Sequence, residues 1–414
     1  MTALGPIEVF TARVPMNRPF AHAAKSRTTA QSVLVRCSFA GATGWGEGAP
    51  RSYVTGETLT SAVAALRRAD PRVLGQVLAD ADGFEAGVRA LADLDLPRTL
   101  GAPGGPAPAA AAALETALLD VWCRAHGRDA ADALRVAAAG SGVLRDAPRV
   151  PVSALVLDSS RTPAELLGGM PPGALANLRH VKVKGLADPF ATRRVVLAVR
   201  GFLDTATTTV SVDANGSWEP AVALRAAGLL ADAVDWIEEP TRRRDWATLG
   251  RIQRETGCPV MLDESGATPA DLDAAAGPGA ASYVNVRVSK CGGPLRSLRM
   301  IERARALGLG YQLGVQVAEI GPLWAAGRLL AAWAEGPVAV ESGRQDEWFG
   351  PGLTVPGYAI DRTRHLAPPL PGPGFGLTPS PTLIHTHLRT ADPVPGRPAA
   401  HTDEQFSPET RTSA

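Results

Sequence analysis

Five short apolar segments between residues 180 and 287 each end in a charged side chain. The terminal charges are Lys184, Asp213, Glu238, Asp263 and Arg287, separated by 29, 25, 25 and 24 positions. Carboxyl groups that share a site can bind a cation, and a nearby amine can accept a proton. An alternative is that each acid only caps the helix that follows it, but the regular spacing of all three favours one common site.

The stretches between these charges predict a strand followed by a helix in each repeat. Residues 220–230 and 245–255 have helical apolar spacing, and βα units at this period indicate a parallel sheet. The predicted fold class is α/β, a (β/α) barrel whose chemistry lies at the carboxyl ends of the strands. Side chains two apart share a strand face, so Lys182 and Lys184 should point into the barrel mouth while Val181 faces the helices.

The same alternation predicts that Asp213, Glu238 and Asp263 converge at one end of the barrel, near Asn285 and Arg287. Like charges this close need a compensating cation to stay ionised. Three oxygen ligands with room for water and substrate suit Mg²⁺, with Mn²⁺ as a substitute, better than Zn²⁺, which prefers nitrogen and sulfur.

The order of these motifs resembles the enolase superfamily. The segments are Lys182-Val-Lys184, Asp213-Ala-Asn215, Ile237-Glu238-Glu-Pro240, Leu262-Asp263-Glu-Ser265 and Lys290-Cys-Gly-Gly293. Within the superfamily the likeness is to the muconate lactonizing subgroup, which includes cycloisomerases, o-succinylbenzoate synthases and amino-acid or dipeptide epimerases. Residues 46–51 and the predicted helix 112–122 are similar to that family's amino-terminal capping domain, so the resemblance covers the chain to about residue 380.

The resemblance implies that Asp213, Glu238 and Asp263 ligate Mg²⁺, the first acid being used in each Glu-Glu and Asp-Glu pair. It also implies that Lys184 is the general base that removes the proton α to a substrate carboxylate, with Lys182 behind it to lower its pKa. Such a proton is barely acidic, so a divalent cation is needed to stabilise the enediolate as it forms.

One position departs from the family. The sixth strand usually carries a second catalytic lysine in a pattern like Asn-Ile-Lys, whereas this chain reads Asn285-Val-Arg287. Arginine does not release its proton in proteins, which argues against a two-base racemase. We therefore expect one-base cycloisomerisation or β-elimination led by Lys184, with Arg287 as a fixed cation and Lys290 as an alternative second group.

Three other functions remain as alternatives. The first is a racemase or epimerase of an amino-acid derivative, and the second is a barrel that binds a carboxylate without catalysis. The third is a class I aldolase, which would use a barrel lysine as a Schiff-base nucleophile and would need no trio of acids.

Substrate selection is expected from the long loop between the first two strands, residues 19–27, which in the family closes over the barrel mouth. The candidates for substrate contact are Phe20, His22, Lys25 and Arg27 in this loop, with Asn215, Gln316 and Glu319 at strand ends. Dipeptide epimerases bind a substrate amine with Asp-x-Asp after strand eight. Here Gly343-Arg-Gln-Asp-Glu347 stands at that place, which argues against that activity.

The predicted domain organisation has four parts. Residues 1–140 form an α+β capping domain, 148–345 the barrel, 346–385 a segment that returns to the cap, and 386–414 a polar, disordered tail.

Composition and net charge restrict the classes of partner that we expect for this protein. The net charge of +1 gives no attraction to nucleic acid or membranes, and no apolar stretch approaches a membrane span. The start of the chain lacks a basic segment followed by an apolar run, and the four cysteines show no zinc or CxxC spacing. We expect a cytoplasmic homo-oligomer whose partner is a small-molecule carboxylate.

Overall fold

The structure is a computed structural model that describes residues 4–22, 25–101, 105–158, 160–317, 319–341, 343–350 and 352–391. For residues 21, 22, 25 and 26 only the backbone is described. In these ranges no helix is long and apolar enough to cross a membrane.

An antiparallel sheet and a group of helices form the amino-terminal part of the chain. The sheet order is β13-β1-β2-β3, with strands β1 (Glu8–His22), β2 (Lys25–Phe39), β3 (Ala42–Gly48) and β13 (Leu388–Thr390). The helices are α1 (Leu59–Leu66), α2 (Pro71–Ala79), α3 (Gly83–Asp93), α4 (Leu96–Thr99), α5 (Pro108–Ala125) and α6 (Ala130–Ala137).

Three glycines on one face of β3 let α5 pack directly against this sheet. A Cβ atom at Gly44, Gly46 or Gly48 would lie 2.4, 2.0 or 2.0 Å from the nearest backbone atom of α5. Real Cβ atoms do not approach so closely, so larger residues at these positions would push the helix away. The alternate spacing of the glycines follows from the two-residue period of a strand.

The second part is a curled parallel sheet surrounded by helices. Its order is β10-β9-β8-β7-β6-β5-β4, with strands β4 (Leu155–Leu157), β5 (His180–Lys184), β6 (Thr209–Asp213), β7 (Trp236–Glu238), β8 (Val260–Leu262), β9 (Tyr283–Val286) and β10 (Gly310–Leu313). The helices are α7 (Ala174–Asn177), α8 (Pro189–Arg200), α9 (Pro220–Leu230), α10 (Trp246–Thr256), α11 (Pro269–Ala276), α12 (Val288–Cys291), α13 (Pro294–Ala306) and α14 (Pro322–Trp333). Five of them begin with proline, whose fixed φ suits the first helical turn.

Residues 338–341 connect the two edges of this sheet. Val340 forms a parallel bridge with Leu313 of β10, and the carbonyl oxygen of Val340 accepts a hydrogen bond from the amide of Ala154, just before β4, at 2.7 Å. The sheet therefore curls into the predicted α/β barrel. Its first strand, β4, has three residues, and residues 338–341 occupy the place of strand eight with the single bridge at Val340.

The segment 19–27, predicted to be a loop, is instead the end of a β-hairpin. Phe20 pairs with Arg27 and His22 with Lys25, after an irregularity between Pro15 and Phe20. Proline lacks an amide donor, so Pro15 and Pro19 interrupt the pairing without ending it.

The carboxyl-terminal segment returns to the capping sheet, through β11 (Thr354–Val355), β12 (Thr378–Pro379) and β13. Short 3₁₀ and π-helical segments cover Gln345–Glu347, Ala164–Gly168 and Leu383–His387. Phe10 of β1 pairs with Thr390 of β13, so ordered chain continues past residue 386, where the tail was predicted to begin. Residues 392–414 lie outside the described part of the chain.

Candidate active site

The parallel register places the predicted site residues side by side. Lys184 lies opposite Asp213 between β5 and β6, and Asp213 lies opposite Glu238 between β6 and β7. Asp263 follows the last residue of β8, the next strand of the sheet. The three acids are at most 1% exposed. The carboxyl ends of the strands therefore bring the three carboxylates to the same end of the barrel.

Lys184 forms an ion pair with the first of these acids, Asp213. Its Nζ donates to Oδ2 of Asp213 at 2.6 Å and to Oδ1 of Asn215 at 3.0 Å. Asn215 has a positive φ of 48°, which turns the backbone so that its amide hydrogen reaches Oδ1 of Asp213 at 2.9 Å. Burial alone would raise the pKa of Asp213, but Lys184 and Lys182 outweigh it and hold that pKa below its usual range.

Lys182 occupies the interior of the barrel beneath Lys184. Its Nζ lies 2.5 Å from Oε2 of Glu238 and 4.0 Å from Oδ2 of Asp213, and it also forms an ion pair with Glu341. Burial lowers the pKa of Lys182, but these acids outweigh it and raise that pKa overall, so the ammonium stays charged. Glu341 reaches the cluster from the strand-eight segment that closes the barrel.

Arg287 joins the second and third acids. Its Nη2 contacts Oδ2 of Asp263 and lies 3.5 Å from Oε1 of Glu238, while its Nη1 donates to Oε1 of Gln316 at 2.9 Å. Nδ2 of Asn285, two residues earlier on the same strand face, donates to the same Glu238 oxygen at 2.8 Å. Asn285 and Arg287 therefore both contact the carboxylate of Glu238.

Lys290 points away from the space that Lys182, Lys184 and Arg287 border. It is fully buried in α12, and its Nζ donates to Oδ1 of Asp263 at 3.0 Å and to the carbonyl oxygens of Asp263 and Asn285, both at 2.6 Å. An ammonium has three hydrogens, and all three are used here. In this geometry Lys290 holds Asp263 in place, and it does not line the cavity beside Lys184.

The second acid of each acidic pair has different surroundings. Glu239 accepts hydrogen bonds from the amides of Asp263 at 2.7 Å and Ser265 at 3.1 Å, and from the Ser265 hydroxyl, so it holds the turn after β8. Both carboxyl oxygens of Glu264 lack a hydrogen-bond partner among the described residues, and burial raises its pKa well above the ordinary value.

The cluster carries more acids than cations. Its carboxyl groups belong to Asp213, Glu238, Glu239, Asp263, Glu264 and Glu341, and its cations to Lys182, Lys184, Arg287 and Lys290. Burial raises the pKa of Glu238 to about 7, because the pull of Lys182 does not offset it and the neighbouring acids add to it. With every group ionised the cluster would have an excess of two negative charges.

A cavity above this cluster consists of two adjoining halves of about 50 Å³ each, which share several lining residues. The inner half is lined by Lys182, Lys184, Asn215, Arg287, Arg51 and Tyr53. The distal half is lined by Arg18, Glu319, Arg344, Gln345, Glu347 and Trp348. Phe20, Gln316 and Glu341 border both halves.

The predicted substrate-contact residues fall into three groups. Phe20, Asn215, Gln316 and Glu319 line the cavity, with the Phe20 ring centroid 5.8 Å from Nζ of Lys184. The guanidinium of Arg27 lies 5.7 Å from the ring of Tyr53, at the edge of the inner half. The side chains of His22 and Lys25 lie outside the described residues.

Several cavity residues were not predicted from the sequence. Arg18 comes from β1, whereas Arg344 and Trp348 come from the segment after strand eight, whose sequence argues only against an epimerase. Arg51 donates to the carbonyl oxygen of Val317 at 3.0 Å, and Glu47 accepts from the amide of Ile320 at 2.9 Å. The motif of residues 46–51 thus connects the capping sheet to the loop after β10. The glycines and charged residues of this motif are the sequence signal from which the contact could have been predicted.

A capped (β/α) barrel with its charged residues gathered at the strand ends defines a class of enzymes whose chemistry lies at that face. Two family models match the chain. One, described as enolase C-terminal domain-like, covers residues 173–383, and the other, the mandelate racemase / muconate lactonizing enzyme N-terminal domain, covers residues 6–134.

Curated relatives agree with these matches. Muconate cycloisomerase 1 of Rhodococcus opacus is 28% identical over 94% of this chain and all of its own length. An aromatic dipeptide epimerase of Herpetosiphon aurantiacus is 30% identical over 77% of this chain and 84% of its own. A crystal structure of a muconate lactonizing enzyme from Pseudomonas fluorescens with muconolactone has a TM-score of 0.75 at 25% identity, covering 94% of this chain and all of that one.

The chain therefore belongs to the enolase superfamily, in its muconate lactonizing enzyme subgroup. The relatives are isomerases, epimerases and racemases, and the protein is an enzyme of this isomerase- or racemase-like kind. Membership of this family supports the interpretation as an isomerase- or racemase-like enzyme over the alternatives of an aldolase or a non-catalytic barrel.

Proposed function

We propose that the protein removes the proton α to the carboxylate of a small-molecule substrate in a reaction that depends on Mg²⁺ or Mn²⁺. The observation that carries this proposal is the cluster of acids at the strand ends with Lys184 beside it. With all of its groups ionised the cluster would have an excess of two negative charges, which one bound divalent cation would neutralise.

The donor set of Asp213, Glu238 and Asp263 suits such a cation. Each of the three acids forms an ion pair with a lysine or arginine. In the described ranges no three His, Cys, Asp or Glu side chains already lie close enough together to bind a metal ion. Oε2 of Glu238 and Oδ2 of Asp263 nevertheless have only ion-pair contacts, without a well-directed hydrogen bond from any residue that the structure describes. These carboxyl oxygens would hold Mg²⁺, and the bound cation would supply electrostatic stabilisation of the negative charge that develops on the substrate.

Lys184 is the residue best placed to accept the proton. It lies at the end of β5, its side chain is 9% exposed, and it lines the inner half of the cavity. Lys182, by contrast, is buried against Glu238 and Glu341 and keeps its proton. The Phe20 ring covers Lys184 from the capping side and would exclude water from the amine.

The position of Arg287 favours one-base chemistry, so we infer a cycloisomerase-type isomerase or a lyase. Arg287 contacts two of the acids and Gln316, and it cannot act as a base at ordinary pH. A racemase or epimerase is the second candidate, because epimerases are among the relatives at similar identity.

Hydrogen exchange tests the proposal before the substrate itself is identified. The purified protein is incubated in deuterated water with a library of carboxylic acids, with Mg²⁺ and with a chelator, and mass spectrometry detects deuterium at the α-carbon. We expect exchange that requires the metal. The variant Lys184→Arg keeps a positive charge on Asp213 but cannot accept a proton, so it should lower the exchange rate by about 10²–10⁴-fold.

The control variant is Arg251→Gln, which removes an exposed charge on the outer helix α10. It should exchange at the wild-type rate. Exchange that persists in the chelator, or that survives in Lys184→Arg, would rule out the proposed roles.

A further inference from the structure

A second cavity, the α14 cavity, has a volume of about 200 Å³ and lies between the start of α14 and the segment that follows strand eight. It is larger than either half of the cavity beside Lys184, and it borders the distal half at Gln345. An apolar cavity of ~150 Å³ holds a benzene ring, so this one has room for a single ring with a small substituent. Its walls are largely apolar, with the side chains of Ile320, Trp324, Phe349, Leu353 and Tyr358.

Two polar side chains interrupt these apolar walls. Oε1 of Gln345 is buried and accepts no hydrogen bond from the residues that the structure describes, and Gln345 is only 8% exposed. Oδ1 of Asp346 is likewise buried without a well-directed donor in the described ranges, while Oδ2 of Asp346 pairs with Arg362 at 2.8 Å. A buried acceptor without a donor is costly, so the α14 cavity favours a ligand that carries an O–H or N–H group.

The charges around the α14 cavity disfavour an ionised ligand. The guanidinium carbon of Arg328 lies 3.2 Å from the ring centroid of Tyr358, although Arg328 does not border the cavity itself. Burial lowers the pKa of Arg328 to about 9, so this group stays charged at neutral pH. Arg328 and Arg362 place two positive charges against the one carboxylate of Asp346, so a bound ammonium would be repelled. A carboxylate has only acceptor oxygens and could not donate to Gln345.

We propose that the α14 cavity binds a small neutral aromatic compound that carries an O–H or N–H donor. The ring of this compound packs against Trp324, Phe349 and Tyr358, since aromatic rings favour offset or edge contacts with one another, and its donor bonds to Oε1 of Gln345. The site is separate from the substrate site, because neither Lys184 nor any of the three acids proposed to hold the cation borders it. It therefore does not depend on the function proposed above.

Four compounds that share a fluorinated ring test this assignment. They are para-fluorophenol, para-fluoroanisole, para-fluorobenzoate and para-fluorobenzylamine, which carry a neutral donor, a neutral acceptor, an anion and an ammonium. Each is titrated into the whole chain at neutral pH, and fluorine NMR gives the dissociation constant. We expect para-fluorophenol to bind about fivefold or more tightly than para-fluoroanisole, as one net hydrogen bond provides, and both charged compounds to bind more weakly than para-fluoroanisole.

Variants locate the binding. Ile320→Phe fills the α14 cavity from a position that does not border the substrate cavity, so it should weaken binding of para-fluorophenol about tenfold or more. The matched control Ile320→Val removes one methyl group without filling the cavity and should bind nearly as tightly as the wild type. Gln345→Met keeps the side-chain length but removes the amide oxygen, so it should reduce the preference for the phenol over the anisole to about twofold or less.

A second blocking variant, Ala359→Trp, changes an exposed residue at the wall of the cavity, and Ala198→Trp on the outer helix α8 is its control. Equal binding of the phenol and the anisole, tighter binding of either charged compound, or binding of none of the four would overturn the proposal. Binding of para-fluorophenol that survives in Ile320→Phe, or in Ala359→Trp where the first variant does not fold, would also overturn it. An unchanged preference in Gln345→Met would remove Gln345 from the site.

Discussion

The two halves of the cavity are built in different ways. The inner half is formed by side chains at the ends of adjacent parallel strands, such as Lys184, Asp213 and Glu238, whose relative positions follow from the register of one sheet. The distal half combines Arg18 from the capping sheet with Arg344 and Trp348 from the segment after strand eight. The first arrangement is fixed by the hydrogen-bonded register of one sheet, and the second depends on how separate parts of the chain meet.

This difference suggests a division of labour. Strand ends place charged groups precisely, which proton transfer and cation binding require. Segments outside the sheet can change length and sequence without disturbing the strands, so a substrate's distal group can be recognised there while the chemistry stays constant. Variants in the inner half should therefore affect catalysis as a whole, whereas variants in the distal half should discriminate between substrates.

The largest effect is expected from Asp263→Asn, a variant of the inner half that should reduce both Mg²⁺ affinity and turnover. Asp263 is held by Arg287 and Lys290, and its replacement leaves both cations without their carboxylate. Affinity for Mg²⁺, measured by calorimetry, and turnover of every substrate should fall together, by more than the ~10–100-fold that follows loss of an outer partner of a metal ligand. Glu255→Gln on the outside of the barrel is the control. Unchanged Mg²⁺ affinity would remove Asp263 from the ligand set.

The inner half could be predicted because its signal is local and periodic. Each apolar segment of four or five residues ends in a charge, and the two-residue alternation identifies the inward face, as for Lys182 and Lys184. The fold class and the position of the three acids at the same end of the barrel could be predicted from that pattern, whereas the family was indicated by the resemblance of the motifs themselves. The contacts of Lys182 with Glu341 did not, since strand eight is reduced to a single bridge and its register could not be read from its own sequence.

The distal half could not be predicted for a physical reason. Arg18 and Asp158 lie 140 positions apart, and Arg344 is nearly 200 residues from the carbonyl oxygens of Ser153 and Ala154 to which it donates. No short-range pattern encodes such pairings, because they depend on how the cap and the barrel dock. Nε2 of Gln316 has no hydrogen-bond partner among the described residues, and such a donor can be identified only when its neighbours in space are known.

A smaller and more specific effect is expected from Arg287→Lys, which lies in the inner half but touches Gln316 at its border. Lysine at this position can release a proton, so the variant should gain exchange of the opposite enantiomer of a chiral substrate, by about tenfold or more. The measurement compares deuterium incorporation into the two enantiomers by chiral chromatography and mass spectrometry. Arg287→Gln keeps neither charge nor base and should show no such gain. An unchanged stereochemical outcome would mean that the residue at 287 does not face the reacting carbon.

The smallest effect concerns Glu319, which lines the distal half next to Gln316. Burial, with help from Glu47, raises the pKa of Glu319 to about 8 from 4.5, so the folded protein binds this proton more tightly than the unfolded chain does. Its contribution to stability is therefore complete below about pH 4.5 and is lost as the pH rises through about 8. Over this window Glu319 should lower the free energy of unfolding with a slope of at most about 1.4 kcal/mol per pH unit.

Urea denaturation of the metal-free protein between pH 5 and 8 measures that slope. Glu319→Gln cannot ionise and should flatten the pH dependence, while the exposed control Glu335→Gln should not. Flattening would show that the distal half keeps this acid uncharged, in contrast to the ionised Asp213 of the inner half. Parallel curves for wild type and Glu319→Gln would mean that Glu319 is ionised in the folded protein.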